Sequence, residues 1–318
     1  MASGEEASLD ISVVIPLYNE RESLEELSNS LTTVLSRICG TFEIIFIDDG
    51  STDGSIDVLK AIKCSAPPGR IRIIKFQKNY GKAAALSVGF SEVRGTYVVT
   101  IDADLQDEPA EIPVLIAKIK EGYDVVSGWK KDRQDPVIKR WSSKFYNFVT
   151  SVATGVYLHD HNCGLKVYRR EVVGYISIYG QLHRYIPAIA SSYGFTVTEI
   201  PVAHHKRKYG KTKYGLWRYF AGLFDLLTVL FLTRYTTRPL HLFGIIGLVS
   251  FLLGFFVNLY LTFVKYVLGQ GIGNRPLLFL GVLLIILGLQ FFSLGFLAEM
   301  VTSIRSRENN YIARNIEE

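Results

Sequence analysis

Two long apolar runs in the last third of the chain limit its architecture more than any other feature. Leu240 to Val264 has 25 residues and Leu277 to Ala298 has 22, with no Lys, Arg, Asp or Glu in either. A bilayer core about 30 Å thick is crossed by about 20 helical residues. Each run is therefore long enough to span, whereas helices in a soluble core rarely stay apolar for so long. The loop from Lys265 to Arg275 is short, which predicts a hairpin that returns the chain to its starting side. Arg218, Arg234 and Arg238 precede the first run, and Arg305, Arg307 and Arg314 follow the second, while the loop holds only Lys265 and Arg275. Positive charge collects on the cytoplasmic side of a membrane. An integral protein of the cell (inner) membrane is expected, with both termini and the preceding domain in the cytoplasm. Met1 to Asp10 is polar and acidic and lacks the apolar core of a cleaved secretory signal.

Outside the hairpin the chain is ordinary for a globular protein. The net charge of +5 selects no partner by itself. Cys39, Cys64 and Cys163 are far apart and form no CxxC, so neither a disulfide framework nor a zinc site is indicated.

From Ile11 onward, short β-rich runs alternate with helical patterns. The runs are Ile11 to Pro16, Glu43 to Asp48, Ile71 to Phe76 and Thr96 to Asp102; the helical stretches are Ser23 to Ile38, Ser55 to Ile62 and Lys82 to Val93. This βαβαβα order predicts an α/β fold with a mainly parallel, doubly wound sheet whose ligands bind beyond the carboxyl ends of the strands. No GxGxxG follows the first strand, which argues against a dinucleotide fingerprint.

Polar motifs fall at those strand ends. Asp102-Ala103-Asp104-Leu105-Gln106 sets two carboxylates at i and i+2 and an amide at i+4, oxygen donors suited to Mg²⁺ or Mn²⁺ bridging a diphosphate. Asp48-Asp49-Gly50-Ser51-Thr52 pairs carboxylate acceptors, for a base N–H or a ribose hydroxyl, with a tight turn, and Ser51 or Thr52 is placed to cap the next helix. Tyr18 and Glu20 follow the first strand, one able to stack on a base and the other to accept from a ribose. Asn79-Tyr80-Gly81-Lys82 opens a helix, offering a cation and free N–H groups to a phosphate or base.

Taken in this order, the motifs resemble the family 2 glycosyltransferases of the GT-A fold over Ile11 to about Lys213. The resemblance implies that Pro16, Tyr18, Glu20, Asp48 and Asp49 line a nucleoside site, that Lys82 also serves the donor, and that Asp102, Asp104 and Gln106 surround metal and diphosphate. Beyond that core, His204-His205-Lys206-Arg207-Lys208-Tyr209-Gly210-Lys211-Thr212-Lys213 looks like the basic loop of polyprenyl-phosphate glycosyltransferases, the group containing dolichol-phosphate mannose synthase and bactoprenol glucosyltransferases. Arg207, Lys211 and Lys213 are the candidates for the lipid phosphate, with Lys130 or Arg133 as a further cation. Attraction to anionic headgroups would also account for such a run. Nucleic acid is not expected as a partner. Asp160, in His159-Asp160-His161-Asn162-Cys163-Gly164, is placed as a catalytic base, a metal partner or an acceptor orienter, and the two flanking histidines read as structural.

The implied reaction is inverting transfer of a hexose, glucose from UDP-glucose first and mannose from GDP-mannose second, to a polyprenyl (undecaprenyl) phosphate. A noncatalytic membrane scaffold with a nucleotide-sugar fold is the rival from another class. Residues 1–10 form a polar tail, 11–213 the GT-A domain, 214–238 a juxtamembrane segment, 239–304 the hairpin and 305–318 a C-terminal tail. A homo-oligomer such as a tetramer is compatible with the exposed hairpin. Tyr219 to Leu232 is too short to span and suits an interfacial helix or one packed on the domain.

Overall fold

A computed structural model describes residues 9–131, 147–176, 178–205, 208, 227–231, 235 and 238–306. The chain forms two compact units, residues 1–229 and 230–318.

The first unit is built on a seven-stranded sheet. Its strands are β1 (Ile11–Leu17), β2 (Phe42–Asp48), β3 (Ile71–Lys75), β4 (Tyr97–Thr100), β5 (Val125–Lys130), β6 (Lys166–Arg169) and β7 (Val197–Val202), in the spatial order β3-β2-β1-β4-β6-β5-β7. The connecting helices are α1 (Leu24–Ile38), α2 (Ser55–Ser65), α3 (Lys82–Glu92), α4 (Ile112–Lys120), α5 (Arg170–Tyr175) and α6 (Ile186–Ser192). β1 and β2 are buried along their whole length, as a strand covered by helices on both faces must be. Leu24, Leu27, Leu31 and Leu35 repeat at helical spacing in α1 and are fully buried against the sheet in the main core.

The sheet is mainly parallel, as expected, but β6 runs antiparallel to both of its neighbours, β4 and β5. β4 is also shorter than the sequence pattern suggested. It ends at Thr100, so Asp102 lies beyond the ladder rather than inside it.

The order reverses at β1, which has β2 on one side and β4 on the other. β4 pairs with β1 only from Ile11 to Val14, whereas β2 pairs with it as far as Leu17. Beyond Val14 the β4 side of β1 opens, and this is where Pro16, which has no N–H to donate, is accommodated. Such a switch point at carboxyl ends is where α/β sheets leave a crevice for ligands.

The second unit is the hairpin of α7 (Pro239–Tyr266) and α8 (Pro276–Ser306), each begun by a proline at a position that needs no N–H. Each carries a 28-residue segment long and apolar enough to cross a membrane. The two helices pack glycine to backbone: a Cβ on Gly254 would lie 2.6 Å from the Gly281 carbonyl oxygen, and one on Gly247 would lie 2.8 Å from that of Gly288. Glu299 on α8 accepts from the Leu240 amide at 3.2 Å, satisfying one of the open N–H groups in the first turn of α7. Of the expected interfacial segment, only residues 227–231 are described, and 227–230 are helical.

Candidate active site

Three loops meet at the β1/β4 crevice. The turn after β2 is held by its own aspartates. Asp48 Oδ1 accepts from the Ser51 amide at 2.9 Å, while its Oδ2 is buried without a hydrogen-bond partner. Asp49 acts at longer range, with Oδ1 accepting from Tyr80 N at 2.7 Å and Oδ2 from Gly81 N at 2.9 Å. The N–H groups of Asn79-Tyr80-Gly81-Lys82 are thus not all free, as the sequence had suggested. Two of them are spent on Asp49, because a buried carboxylate without such donors would be costly. Gly50 permits the close approach: its φ is +75°, and a Cβ there would lie 2.7 Å from the Lys78 carbonyl carbon.

Ser51 and Thr52 do not cap α2. Ser51 Oγ accepts from Asn19 N at 2.9 Å, Thr52 N donates to Asn19 Oδ1 at 2.8 Å, and Asp53 Oδ1 accepts from Ser55 N at 3.0 Å. These bonds tie the turn after β1 to the turn after β2. They fix the backbone on either side of Tyr18 and Glu20, both half-buried, while Pro16 is buried within β1.

The carboxylate pair follows β4. Leu105 has a φ of 58°, in the left-handed region that branched side chains rarely occupy. This kink takes the chain out of the pleat and turns Asp104 and Gln106 onto one loop, where Asp104 Oδ1 accepts from Gln106 N at 3.2 Å. Asp102 lies 2.5 Å from Lys82 Nζ, with its side chain 30% exposed. Burial acts to raise the Asp102 carboxyl, but the charge and hydrogen bond of Lys82, aided by Lys130 and His183, outweigh it and hold the group at about 2. Asp102 is therefore ionised at any ordinary pH. A Cβ on Gly164 would lie 2.6 Å from the Asp102 carboxylate, so the 159–164 loop reaches the motif because residue 164 has no side chain.

Among the described residues, no group of three His, Cys, Asp or Glu is arranged to hold an ion by itself. Asp102, Asp104 and Gln106 offer two carboxylates and an amide, which suits a hard cation that draws its remaining ligands from water and phosphate.

Lys130 does not project as a free cation. Its Nζ lies 2.7 Å from Asp107 Oδ1, which is fully buried, and the Lys130 side chain is mostly so. Burial acts against the ammonium, but Asp107 prevails and raises Lys130 above the ordinary lysine value. Asp160 is 1% exposed, with Oδ1 accepting from Asn162 N at 3.0 Å, so it is not displayed toward an open acceptor face. The flanking histidines are both engaged within the protein. His159 stacks on Trp129 at 4.1 Å and pairs with Glu199, while His161 is buried with Nε2 3.1 Å from Ser151 Oγ. Desolvation, aided by Lys166 and opposed by Asp160, lowers His161 to about 4.

The motifs converge across long sequence distances. The carbonyl of Gln106 accepts from His205 N at 2.9 Å and from His204 Nδ1 at 3.1 Å, and Asp107 bridges to His204. The entry to the basic run is thereby anchored on the carboxylate loop. Lys208, from within that run, pairs with Glu26 on α1. Arg133, Arg207, Lys211 and Lys213 lie outside the described residues.

Sequence reasoning missed His183 and Arg184, which belong to a short 3₁₀ turn (Leu182–Arg184). They line a small cavity with Lys82, Asp102 and Lys166. The signal available was two ionisable residues beside the apolar run Tyr185-Ile186-Pro187-Ala188-Ile189-Ala190. A larger cleft, lined by Arg70, Arg94, Arg169 and Arg170, holds none of the motif residues. Three of these arginines are already engaged: Arg70 lies over Phe42, Arg169 donates to Tyr123 O and Arg170 to the main-chain carbonyl of Arg94.

Comparison with known proteins gives an independent reading. The sequence model of "Glycosyl transferase family 2" matches residues 12–176. Dodecaprenyl-phosphate galacturonate synthase of Rhizobium johnstonii is 37% identical, covering 97% of this chain and 93% of the relative. Undecaprenyl-phosphate 4-deoxy-4-formamido-L-arabinose transferase of Pseudomonas syringae is 36% identical, over 96% and 90%. Among solved structures, glucosyl-3-phosphoglycerate synthase from Mycobacterium tuberculosis, in complex with Mn²⁺, UDP-glucose and phosphoglyceric acid, superposes with a TM-score of 0.53 at 18% identity. The match covers 71% of this chain and 80% of that one, a likeness of fold.

Proposed function

Because the chain belongs to glycosyl transferase family 2, we propose that it transfers a sugar from a nucleotide-sugar donor to a polyprenyl phosphate at a membrane surface. The anchoring of His204 and His205 on the Gln106 carbonyl carries this reading, because it joins a basic run to the carboxylate loop. The two long apolar helices support a lipid acceptor, with both termini and the catalytic unit on the cytoplasmic side of the inner membrane. The names of the two relatives above point to the same acceptor class.

In this reaction an acceptor phosphate oxygen attacks the anomeric carbon as the nucleoside diphosphate departs from the opposite face, inverting configuration. A phosphate monoester has its second pKa near about 6, so the nucleophile is largely ionised at neutral pH and a strong base is not required. This agrees with the burial of Asp160. Asp48 and the residues after β1 hold the nucleoside. Asp102, Asp104 and Gln106 would hold Mg²⁺ or Mn²⁺, which would supply positive charge to the leaving diphosphate. Arg207, Lys211, Lys213 and Arg133 are assigned to the lipid phosphate, with Arg207 suited to bidentate contact.

The donor sugar is the finer part of the proposal. UDP-glucose is the first candidate, to be tried against UDP-galacturonate, UDP-4-deoxy-4-formamido-L-arabinose and GDP-mannose. The test incubates the purified full chain with each labelled donor and polyprenyl phosphate and follows label into the organic phase. Label that reaches only protein or soluble glycan would overturn the lipid-acceptor assignment. Donor binding with no turnover on any acceptor would favour the scaffold.

A further inference from the structure

The small cavity beside Asp102 contains an imbalance that the carboxylate motif does not explain. It is lined by three cationic side chains, Lys82, Lys166 and Arg184, together with His183. Lys82 is paired with Asp102. Lys166 is buried, its Nζ donates to the Cys163 carbonyl, and the negative charges of Asp160 and Asp102 reach it. Arg184 has no such partner. It is 8% exposed, its Nε is buried with no hydrogen bond, and no carboxylate pairs with its guanidinium among the described residues. His183 Nδ1 beside it is also buried and unpartnered.

A guanidinium stays charged at every relevant pH and presents donors in a fixed fork. Holding a largely buried guanidinium with no protein acceptor is unfavourable, as it is for any unpaired internal charge. A fold tolerates that where an acceptor arrives with a ligand, and the complementary ligand is an oxyanion. Carboxylates and phosphates both match the fork geometry. The cavity opens beside Asp102, where the diphosphate leaves and the acceptor phosphate attacks, so phosphoryl oxygen is the oxyanion at hand.

We propose that Arg184 and His183, with Lys166 behind them, form a phosphoryl-oxygen subsite of the active site, distinct from the basic run at 204–213. This rests on the glycosyl-transfer reading for its ligand. Two sources share the chemistry, the donor's diphosphate and the acceptor's monophosphate.

The experiment uses the full chain in detergent micelles and calorimetric titration with UDP, uridine and farnesyl phosphate, a short polyprenyl monophosphate. Arg184→Met should weaken one phosphorylated probe by about tenfold or more, the usual worth of a charge-assisted bond, and leave uridine unchanged. Arg184→Lys should recover part of the loss, and both variants are checked for native thermal unfolding. Loss confined to UDP assigns the subsite to the donor, and loss confined to farnesyl phosphate assigns it to the acceptor. A folded Arg184→Met that binds both as tightly as the parent overturns the proposal, and His183→Gln supplies the same test if Arg184→Met does not fold. Should the parent transfer no sugar to any lipid while Arg184→Met still weakens UDP, the transfer reading fails and the subsite stands.

Discussion

The main-chain amide of His205 donates to the carbonyl of Gln106 at 2.9 Å, fastening the chain just after β7 to the loop that carries Asp102 and Asp104. His204 adds its Nδ1 to the same carbonyl at 3.1 Å. The side-chain bond can be removed without altering any charge in the basic run. His204→Ala should raise KM for polyprenyl phosphate by about three- to tenfold, the effect of one lost hydrogen bond, with donor KM unchanged. Steady-state kinetics with each substrate varied in turn would show this. A rise confined to donor KM would mean that the anchor serves the nucleotide instead.

Asp104 and Asp160 should separate in turnover. Asp104→Ala is expected to lose at least about a hundredfold in kcat, the scale of removing a main electrostatic support of the leaving group. Chelating divalent metal from the parent should have a similar effect. Asp160→Asn keeps the acceptor for Asn162 N and removes only the charge, so it should lose less than about tenfold, because an ionised phosphate needs no base. Full turnover of Asp104→Ala in excess chelator would refute the metal assignment.

Lys82 sets the acid behaviour of Asp102. The Asp102 carboxyl lies at about 2 against an ordinary 3.8. A depressed carboxyl contributes stability that is complete above its unfolded value and disappears as pH falls through its folded value. The window here is about 4 down to about 2. The parent should show no activity inflection from Asp102 above about pH 4. Lys82→Met removes the largest lowering influence, so burial then raises the carboxyl and an acid limb should enter the pH profile of kcat/KM. An identical profile in the two proteins would reject this role for Lys82.

The hairpin should be intolerant of side chains at its glycine contacts. A Cβ on Gly254 meets the Gly281 carbonyl at 2.6 Å, so Gly254→Val forces α7 and α8 apart. Thermal unfolding in detergent should fall by several degrees, consistent with a cost of about 1–3 kcal/mol for overpacking. Gly269→Ala, in the connecting loop with no atom within 4 Å, has no close contact but a φ of +65°, and should cost only about 1 kcal/mol. Equal effects at both positions would show that helix contact is not what Gly254 protects.

Much of the fold is legible in the sequence. The helical stretch Ser23 to Ile38 matches α1 within one residue, and the alternation of β-rich and helical runs matches the first four strands. The carboxylate motifs were placed at strand ends because polar residues that leave a parallel sheet have few other locations. What escaped was pairing between distant polar groups. Asp49 holds Tyr80 and Gly81 through main-chain N–H groups, which every non-proline residue carries, so no residue type marked the bond. Lys130 read as a free cation because nothing near it in sequence announces Asp107. The antiparallel insertion of β6 was hidden by its length, four residues, too few to show a period. His183 and Arg184 sit on a 3₁₀ turn rather than at a strand end, outside the places where the fold class directs attention.

Five of the six glycines on the hairpin helices recur every seven residues, at 247 and 254 on α7 and at 281, 288 and 295 on α8, with Gly244 outside the series. A seven-residue repeat keeps one seam of each helix turned toward its neighbour. Sliding one helix by a single residue would set bulky side chains where glycine now meets backbone, and the Glu299 bond to Leu240 would break. The pair therefore behaves as a ruler of fixed length. In a thicker or thinner bilayer it can answer by tilting, or by letting the lipid deform around it, but not by slipping.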